Sequence, residues 1–204
     1  MYGPATPSTQ AAILDAIASL ERRLSRERDG MPDSLIANRI ELRPSTATDI
    51  PGLMEGLNDW QVAQWLPSVP FPYTEADARA FIARSAQVTP PDAFAVVHRA
   101  EEQFLGILGL TRTGDVAELG YWLLPRFHGR GLMAEAVAFA LRHQVGSLAT
   151  IFATVDRSNT ASIRLLDRSG LRLTGEHIRE TPNRQGNIVV LRYQKDVGQS
   201  AAES

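Results

Sequence analysis

The chain has 204 residues, 21 of them Lys or Arg and 23 Asp or Glu, giving a net charge of −2 and an isoelectric point near 6.1. That balance argues against a nucleic-acid binder, which would carry a basic excess. With 44% hydrophobic residues and no cysteine, the composition excludes a disulfide scaffold, a Cys-ligated metal and a thiol nucleophile, and it suits a reducing cytoplasm. No apolar run approaches the ~18 residues of a membrane helix, and no basic segment followed by an apolar one marks a signal peptide at the N-terminus.

In chain order, residues 1–38 read as a helical extension. Ser8 or Thr9 caps a helix to about Arg28, with Ile13, Ile17, Leu20 and Leu24 on one face and an Arg-rich end. That face can pack on its own domain or on a second copy; the Arg cluster can be a solvated face or an anion site. From Arg39 the pattern changes, and residues 39–197 read as one domain followed by a tail, 198–204. Ile40–Arg43 alternates as a strand ended by Pro44. Asp49 to Asp59 and Trp60 to Leu66 read as helical pieces, and Thr74 opens a third helix with Ala78, Phe81 and Ile82 inward. Phe94–His98, Phe104–Thr111 and Val116–Leu124 form a three-strand meander with short links. A helix over Gly131–His143, a strand over Ile151–Val155 and a helix over Ala161–Arg168 capped by Asn159 come next. Leu171–Leu173 and Ile188–Tyr193 supply two last strands. This order predicts a mixed α+β fold, with a mostly antiparallel, splayed sheet of about 6–7 strands and helices on both faces.

The stretch from Glu118 to Met133 carries the most chemistry: an apolar strand ends in Pro125, and a basic turn with Gly129 and Gly131 opens a helix. Glycines let the backbone approach a ligand closely, and the free N–H groups and dipole of a helix start attract anions. Arg126 and Arg130 flank the turn and can add ionic contacts. A phosphorylated cofactor is implied. The segment Gly129–Ala134 formally fits a dinucleotide fingerprint, but the preceding meander and the short remaining chain do not suit a Rossmann fold.

Arg126-x-x-Gly129-x-Gly131 resembles the pyrophosphate motif of the GNAT acetyltransferase superfamily, (Gln/Arg)-x-x-Gly-x-(Gly/Ala). Glu118-Leu-Gly-Tyr-Trp-Leu123, Glu135-Ala136, Asn159-Thr-Ala-Ser162 and Ser169-Gly-Leu171 are similar to its RimJ/RimL branch, in order, over roughly Ile40 to Val197. The resemblance implies acetyl-CoA as cofactor, with backbone groups of Leu123 and Leu124 along the pantetheine arm. It also implies N–H groups of Phe127, His128, Gly129, Arg130, Gly131, Leu132 and Met133 on the pyrophosphate.

Acetyl transfer to an amine needs a neutral nucleophile, a donor for the developing oxyanion and a proton for the departing thiolate. Glu118 is the candidate base or relay, or else a structural acid; Glu176 and Glu180 are rivals in the last hairpin. Gly120 is expected to mark a bulge that splays the sheet. A backbone N–H near Leu123 is the candidate oxyanion donor. Ser162 is the candidate proton donor, and Asn159 a helix cap that can also touch the cofactor. His128 reads as a phosphate neighbour or a surface group. Trp60, Trp65 and Tyr73, with Phe71, either line the acceptor site or form core. The branch's final hairpin usually has Asp four residues before its Tyr; here Val189 precedes Tyr193 at that distance, which weakens any transfer of acceptor specificity. The expected acceptor is a protein or peptide N-terminus, with a small-molecule amine or a non-catalytic CoA-binding module as alternatives. No membrane or direct nucleic-acid partner is expected, and a homodimer through the N-terminal helix is one option.

Overall fold

The computed structural model describes residues 35–89, 91–143, 148–180 and 186–197, all within the compact unit Ser34–Ser204. The expected helix over residues 8–28, the tail from 198 and the Glu180 side chain lie outside the described residues. Eight strands form one sheet in the order β1-β2-β3-β4-β5-β6-β8-β7. They are β1 (Leu35–Ile36), β2 (Ile40–Arg43), β3 (Ala93–His98), β4 (Gln103–Thr113), β5 (Val116–Leu123), β6 (Thr150–Asp156), β7 (Arg172–Glu180) and β8 (Asn187–Asp196). Every pairing is antiparallel except β5 with β6. The strand beyond the expected count is the two-residue β1.

Alternation of side chains sends each strand's apolar residues to two faces. One face carries a core of Ile40, Leu42, Phe94, Val96, Leu108, Leu119 and Ile151, covered by α4 (Leu132–His143) through Met133, Ala136, Val137 and Ala140. Leu166 of α5 (Thr160–Arg168) joins it. The other face packs Ala95, Val97 and Ile107 against α1 (Ile50–Leu57), α2 (Trp60–Ala63) and α3 (Glu75–Ser85). That second core takes no residue from β6, β7 or β8, so half of this face has no helix over it among the described residues.

Local chemistry sets the element ends. Thr74 and Asp77 cap α3 reciprocally, the carboxylate accepting the Thr74 N–H at 2.9 Å. The Arg43 guanidinium donates to both oxygens of buried Asp49 at 2.8 Å, tying β2 to the start of α1. Contrary to the sequence expectation, Gly120 sits in regular register opposite Gly109. The irregularity lies in β4, where Val96 pairs Gly106 and Val97 pairs Phe104, leaving Leu105 as the extra residue.

Candidate functional site

β5 and β6 run parallel for three pairs, Val116 with Thr150, Ala117 with Ile151 and Glu118 with Phe152, and there the register stops. β5 continues along β4 to Leu123, while β6 continues along β8 to Asp156. The sheet therefore opens into a cleft whose apex is Glu118 and Phe152. A cavity of about 720 Å³ lies beside the far end of β5, between the segment Gln61–Leu66 and the start of α5.

The backbone of β5 on the open side is placed to bind. The Leu124 N–H donates to the Leu105 carbonyl at 2.8 Å, which makes Leu123 and Gly106 a non-bonded pair of the β4–β5 ladder. The N–H and C=O of Leu123, and by alternation of Tyr121, then point away from β4 and into the cleft, while the Leu119 N–H closes the last β5–β6 pair. Leu124 does not fill its expected part: its N–H is spent on Leu105 and its carbonyl accepts the Phe127 N–H at 2.9 Å. The Leu123 carbonyl receives the His128 ring at 2.8 Å, so the proton is on Nε2, because a carbonyl can only accept.

The turn after β5 has two halves. Pro125–Phe127 is a single 3₁₀ turn that uses the N–H groups of Phe127 and His128 internally, on Leu124 and Pro125. Those two residues therefore do not join the expected donors. Gly129 and Gly131 follow at φ +72° and +73°, the left-handed region glycine alone enters freely. The N–H groups of residues 129–134 have no backbone acceptor among the described residues, and the first internal bond of α4 is Glu135 N–H to Gly131 O at 3.1 Å. Gly129, Gly131, Leu132 and Met133 line the cavity. A left-handed turn opening a 12-residue helix, with its donors free and aimed at a cavity, fits a pyrophosphate.

Arg126 and Arg130 are placed otherwise than their sequence position suggests. Arg126 pairs with Glu55 of α1, and both guanidiniums stack on the Phe127 ring, at 4.9 and 5.6 Å from its centre. Neither lines the cavity. The arginine that shapes the turn is Arg39, which sequence reasoning did not single out. Its N–H and Nε donate to the Glu135 carboxylate at 2.7 and 2.8 Å, and its guanidinium donates to the Arg130 carbonyl at 3.1 Å. Partial burial pushes the Glu135 carboxyl up, but the Arg39 backbone and side-chain donors outweigh it and hold it below the usual range.

On the opposite wall, the Asn159 side chain caps α5 by accepting the Ser162 N–H at 3.1 Å. Ser162 Oγ lies 2.8 Å from the Tyr121 hydroxyl. All three residues line the cavity. Burial pushes the Tyr121 phenol up to about 12, with the Ser162 bond pulling the other way, so it is a neutral hydroxyl at any ordinary pH. Tyr121 was missed as a site residue. The signal was there: it shares the face of Ala117 and Leu119, the face that α5 covers.

Glu118 stands at the apex, partly exposed, on the face opposite Ala117 and Leu119. No hydrogen bond or ion pair engages its carboxylate among the described residues. Its rival Glu176 pairs with Arg157 at 2.9 Å. Next to Glu118 on that face, a Cβ on Gly120 would meet nothing within 4 Å, so space is open above the strand. Trp65 lines the cavity, whereas Trp60 does not and sits exposed, packed edge-on against Phe71 at 5.5 Å. Tyr73 is buried in the second core and its backbone is bonded to the Asn58 side chain.

Comparison with known proteins agrees with this geometry. No curated protein sequence matches the chain. The fold is shared with an acetyltransferase (GNAT family) from Bacillus anthracis, at 23% identity and TM-score 0.71, covering 80% of this chain and 98% of that one. It is shared with an acetyl transferase from Salmonella typhimurium that modifies the N-terminal serine of ribosomal protein L7/L12, at 19% identity and TM-score 0.67, covering 79% and 96%. A spermidine N-acetyltransferase from Vibrio cholerae, solved with CoA and spermine, matches at 16% identity and TM-score 0.67, covering 78% and 95%. The family model for the acetyltransferase (GNAT) domain matches residues 39–172, from the Arg39 clamp through the glycine turn to the start of β7, and the chain belongs to that family of acetyl-CoA-dependent acetyltransferases.

Proposed function

We propose that this enzyme transfers the acetyl group of acetyl-CoA to the primary amine of a protein or peptide N-terminus, by direct attack within a ternary complex. The observation that carries the reading is the cleft between β5 and β6. It has an unpaired carboxylate at its apex, free strand and helix N–H groups along one wall, and a paired hydroxyl on the other. Bound acetyl-CoA supplies a thioester whose acyl carbon an amine attacks. Leu123 and Tyr121 hold the pantetheine arm by backbone groups, and Gly129 to Ala134 hold the pyrophosphate. Glu118 accepts the amine proton, directly or through a water, since an alkyl amine is mostly protonated at neutral pH. A β5 N–H near Leu123 donates to the charge that develops on the acyl oxygen. Ser162, its hydroxyl oriented by Tyr121, passes a proton to the thiolate and regains one from solvent, to which Glu118 releases the proton it took from the amine.

An extended acceptor is supported by the sheet half that bears no helix on the Glu118 face among the described residues: a chain end can lie across it, where a small amine would be left open to water. The neighbour that modifies a ribosomal protein N-terminus belongs to the same fold. The absence of cysteine, in a reaction that passes acyl groups without a thiol nucleophile, fits work in the cytoplasm. The test is a transfer screen with thiol release as readout. N-terminally free peptides should be acetylated more efficiently than polyamines or aminoglycosides. Exclusive acetylation of a small amine, or CoA binding without transfer to any amine, would overturn it.

A further inference from the structure

Ala117 and Leu119 of β5, Ile151 and Ala153 of β6, and Leu191 and Tyr193 of β8 all enter the first core. Alternation therefore places Glu118, Phe152 and Arg192 together on the opposite face, over which no helix lies at these strands among the described residues. Across that floor Phe152 pairs in register with Gln194, and Thr154 with Arg192. Yet the Arg192 guanidinium carbon lies 3.9 Å from the centre of the Phe152 ring. The side chain leans back two positions along the strand, toward the apex where Glu118 faces Phe152. The ring braces it from below. Arg192 is half-buried, and no carboxylate forms an ion pair with it among the described residues. Of the two acids nearest it by strand position, Asp156 is committed to the Ser158 N–H and hydroxyl at 2.7 and 2.6 Å, and Glu118, opposite Phe152, forms no ion pair with it. A guanidinium held on a ring face with no paired carboxylate keeps its N–H donors for an anion that arrives with the substrate.

We propose that Arg192, braced on Phe152, forms an acceptor subsite for an anionic group carried within about 5–10 Å of the reacting amine, one to two strand spacings from Glu118. The inference rests on the acetyltransferase reading and names its substrate class. The shared chemistry is a carboxylate near a primary amine, as in an acidic side chain close to a peptide N-terminus or the α-carboxylate of a free amino acid. A polyamine would instead set a second ammonium against Arg192.

The test uses the full chain with acetyl-CoA and thiol release. Acceptors come in matched pairs: peptides with Glu or Gln as second residue, a free amino acid or its amide, and spermidine as the cationic arm. The wild type should favour the anionic member of one pair by about tenfold to a hundredfold in kcat/KM, the range of a charge-assisted hydrogen bond. The pair showing it identifies the source. Arg192→Gln should erase the preference mainly through KM, Arg192→Lys should keep part of it, and Arg192→Glu should invert it toward a Lys-containing peptide. Thermal melts of each variant separate lost recognition from lost folding, and the lysine variant keeps the test usable if the others melt early. Equal rates across every pair, or a preference that survives Arg192→Gln, would overturn the subsite. So would a matching loss of acetyl-CoA affinity, which would put Arg192 on the cofactor side. Failure to bind acetyl-CoA or acetylate any amine would overturn the underlying reading instead.

Discussion

Gly131→Asp separates the binding role of the turn from its role in the fold. Gly131 sits at φ +73°, and a Cβ there meets only the Arg39 guanidinium, at 3.7 Å, an ordinary contact. The stability cost is therefore backbone strain alone, about 1–2 kcal/mol for an L-residue in this region. A carboxylate at the start of α4 and beside Arg39 returns about 0.3–1 kcal/mol. The net loss is about 1 kcal/mol, or a melting shift of about 2–4 °C for a domain of this size. Binding responds differently. A negative charge about 5 Å from a phosphate opposes it by about 3 kcal/mol at an effective dielectric constant near 20, which is more than a hundredfold in Kd. Calorimetry with CoA and acetyl-CoA, paired with thermal melts, reads both quantities. Gly131→Ala is the control, with the same strain and no charge: its melt should fall at least as far, and its affinity much less. Undiminished acetyl-CoA affinity in Gly131→Asp would refute the pyrophosphate assignment, and equal losses in both variants would assign the effect to the shape of the turn.

Glu118→Gln should lower kcat about a hundredfold or more and remove the acidic limb of the pH–rate profile. Acetyl-CoA affinity and melting temperature should hold, because the carboxylate has no partner among the described residues to lose; an unaltered profile would exclude it as base. Ser162→Ala and Tyr121→Phe should each reduce kcat, and their effects should fall short of adding, with a coupling of about 0.5–3 kcal/mol. Strict additivity would mean that the 2.8 Å contact between them plays no part in turnover. Glu135→Gln tests a linkage. The folded carboxyl titrates below its ordinary value of 4.5, so the pair's contribution is present above that pH and lost as pH falls through the folded value. The stability gap between wild type and Glu135→Gln should thus be a few tenths to about 1 kcal/mol at neutral pH and shrink in acid; a gap independent of pH would refute the linkage. Gly106→Ala should destabilise by about 3 kcal/mol or more, since its Cβ would sit 2.1 Å from the Trp122 carbonyl oxygen, and wild-type melting would refute this.

Much of the fold was legible because its signals are local. Asn159 caps α5 as its type and position suggest, and Thr74 with Asp77 closes α3. The meander strands follow from alternation and short links. What escaped depends on distant partners. β7 was read as Leu171–Leu173 but runs from Arg172 to Glu180. It is an edge strand of mostly exposed residues, so no core-facing pattern marks it, and the β8 ladder holds it. Arg126 was likewise read as a flank of the anion site, and Arg39 was given no role there. Arg126 meets a carboxylate 71 residues away, and Arg39 reaches a helix 96 residues on, separations at which spacing along the chain carries no information.

The sequence reading placed the cause of the splay in Gly120, and the structure points to a different device. Parallel strands normally stay paired unless something holds their ends apart. Here the end of β6 is continuous with a short turn, in which Asp156 accepts from Ser158, and the turn delivers the start of α5. That start carries Ser162, which meets the Tyr121 hydroxyl of β5 across the gap. The buried phenol thus acts as a strut between the two parted strands. It cannot shorten, and its burial keeps it from ionising and so from losing its donor. Meanwhile the β5 backbone at Tyr121 and the Leu123 N–H have no β6 partner, and unpaired strand groups inside a folded domain need replacement hydrogen bonds. A ligand arm lying along β5 supplies them. One hydrogen bond therefore sets the width of the cleft, orients the Ser162 hydroxyl and leaves the strand edge unpaired for a ligand, which is why substitution at Tyr121 should be felt in turnover more than its distance from Glu118 would suggest.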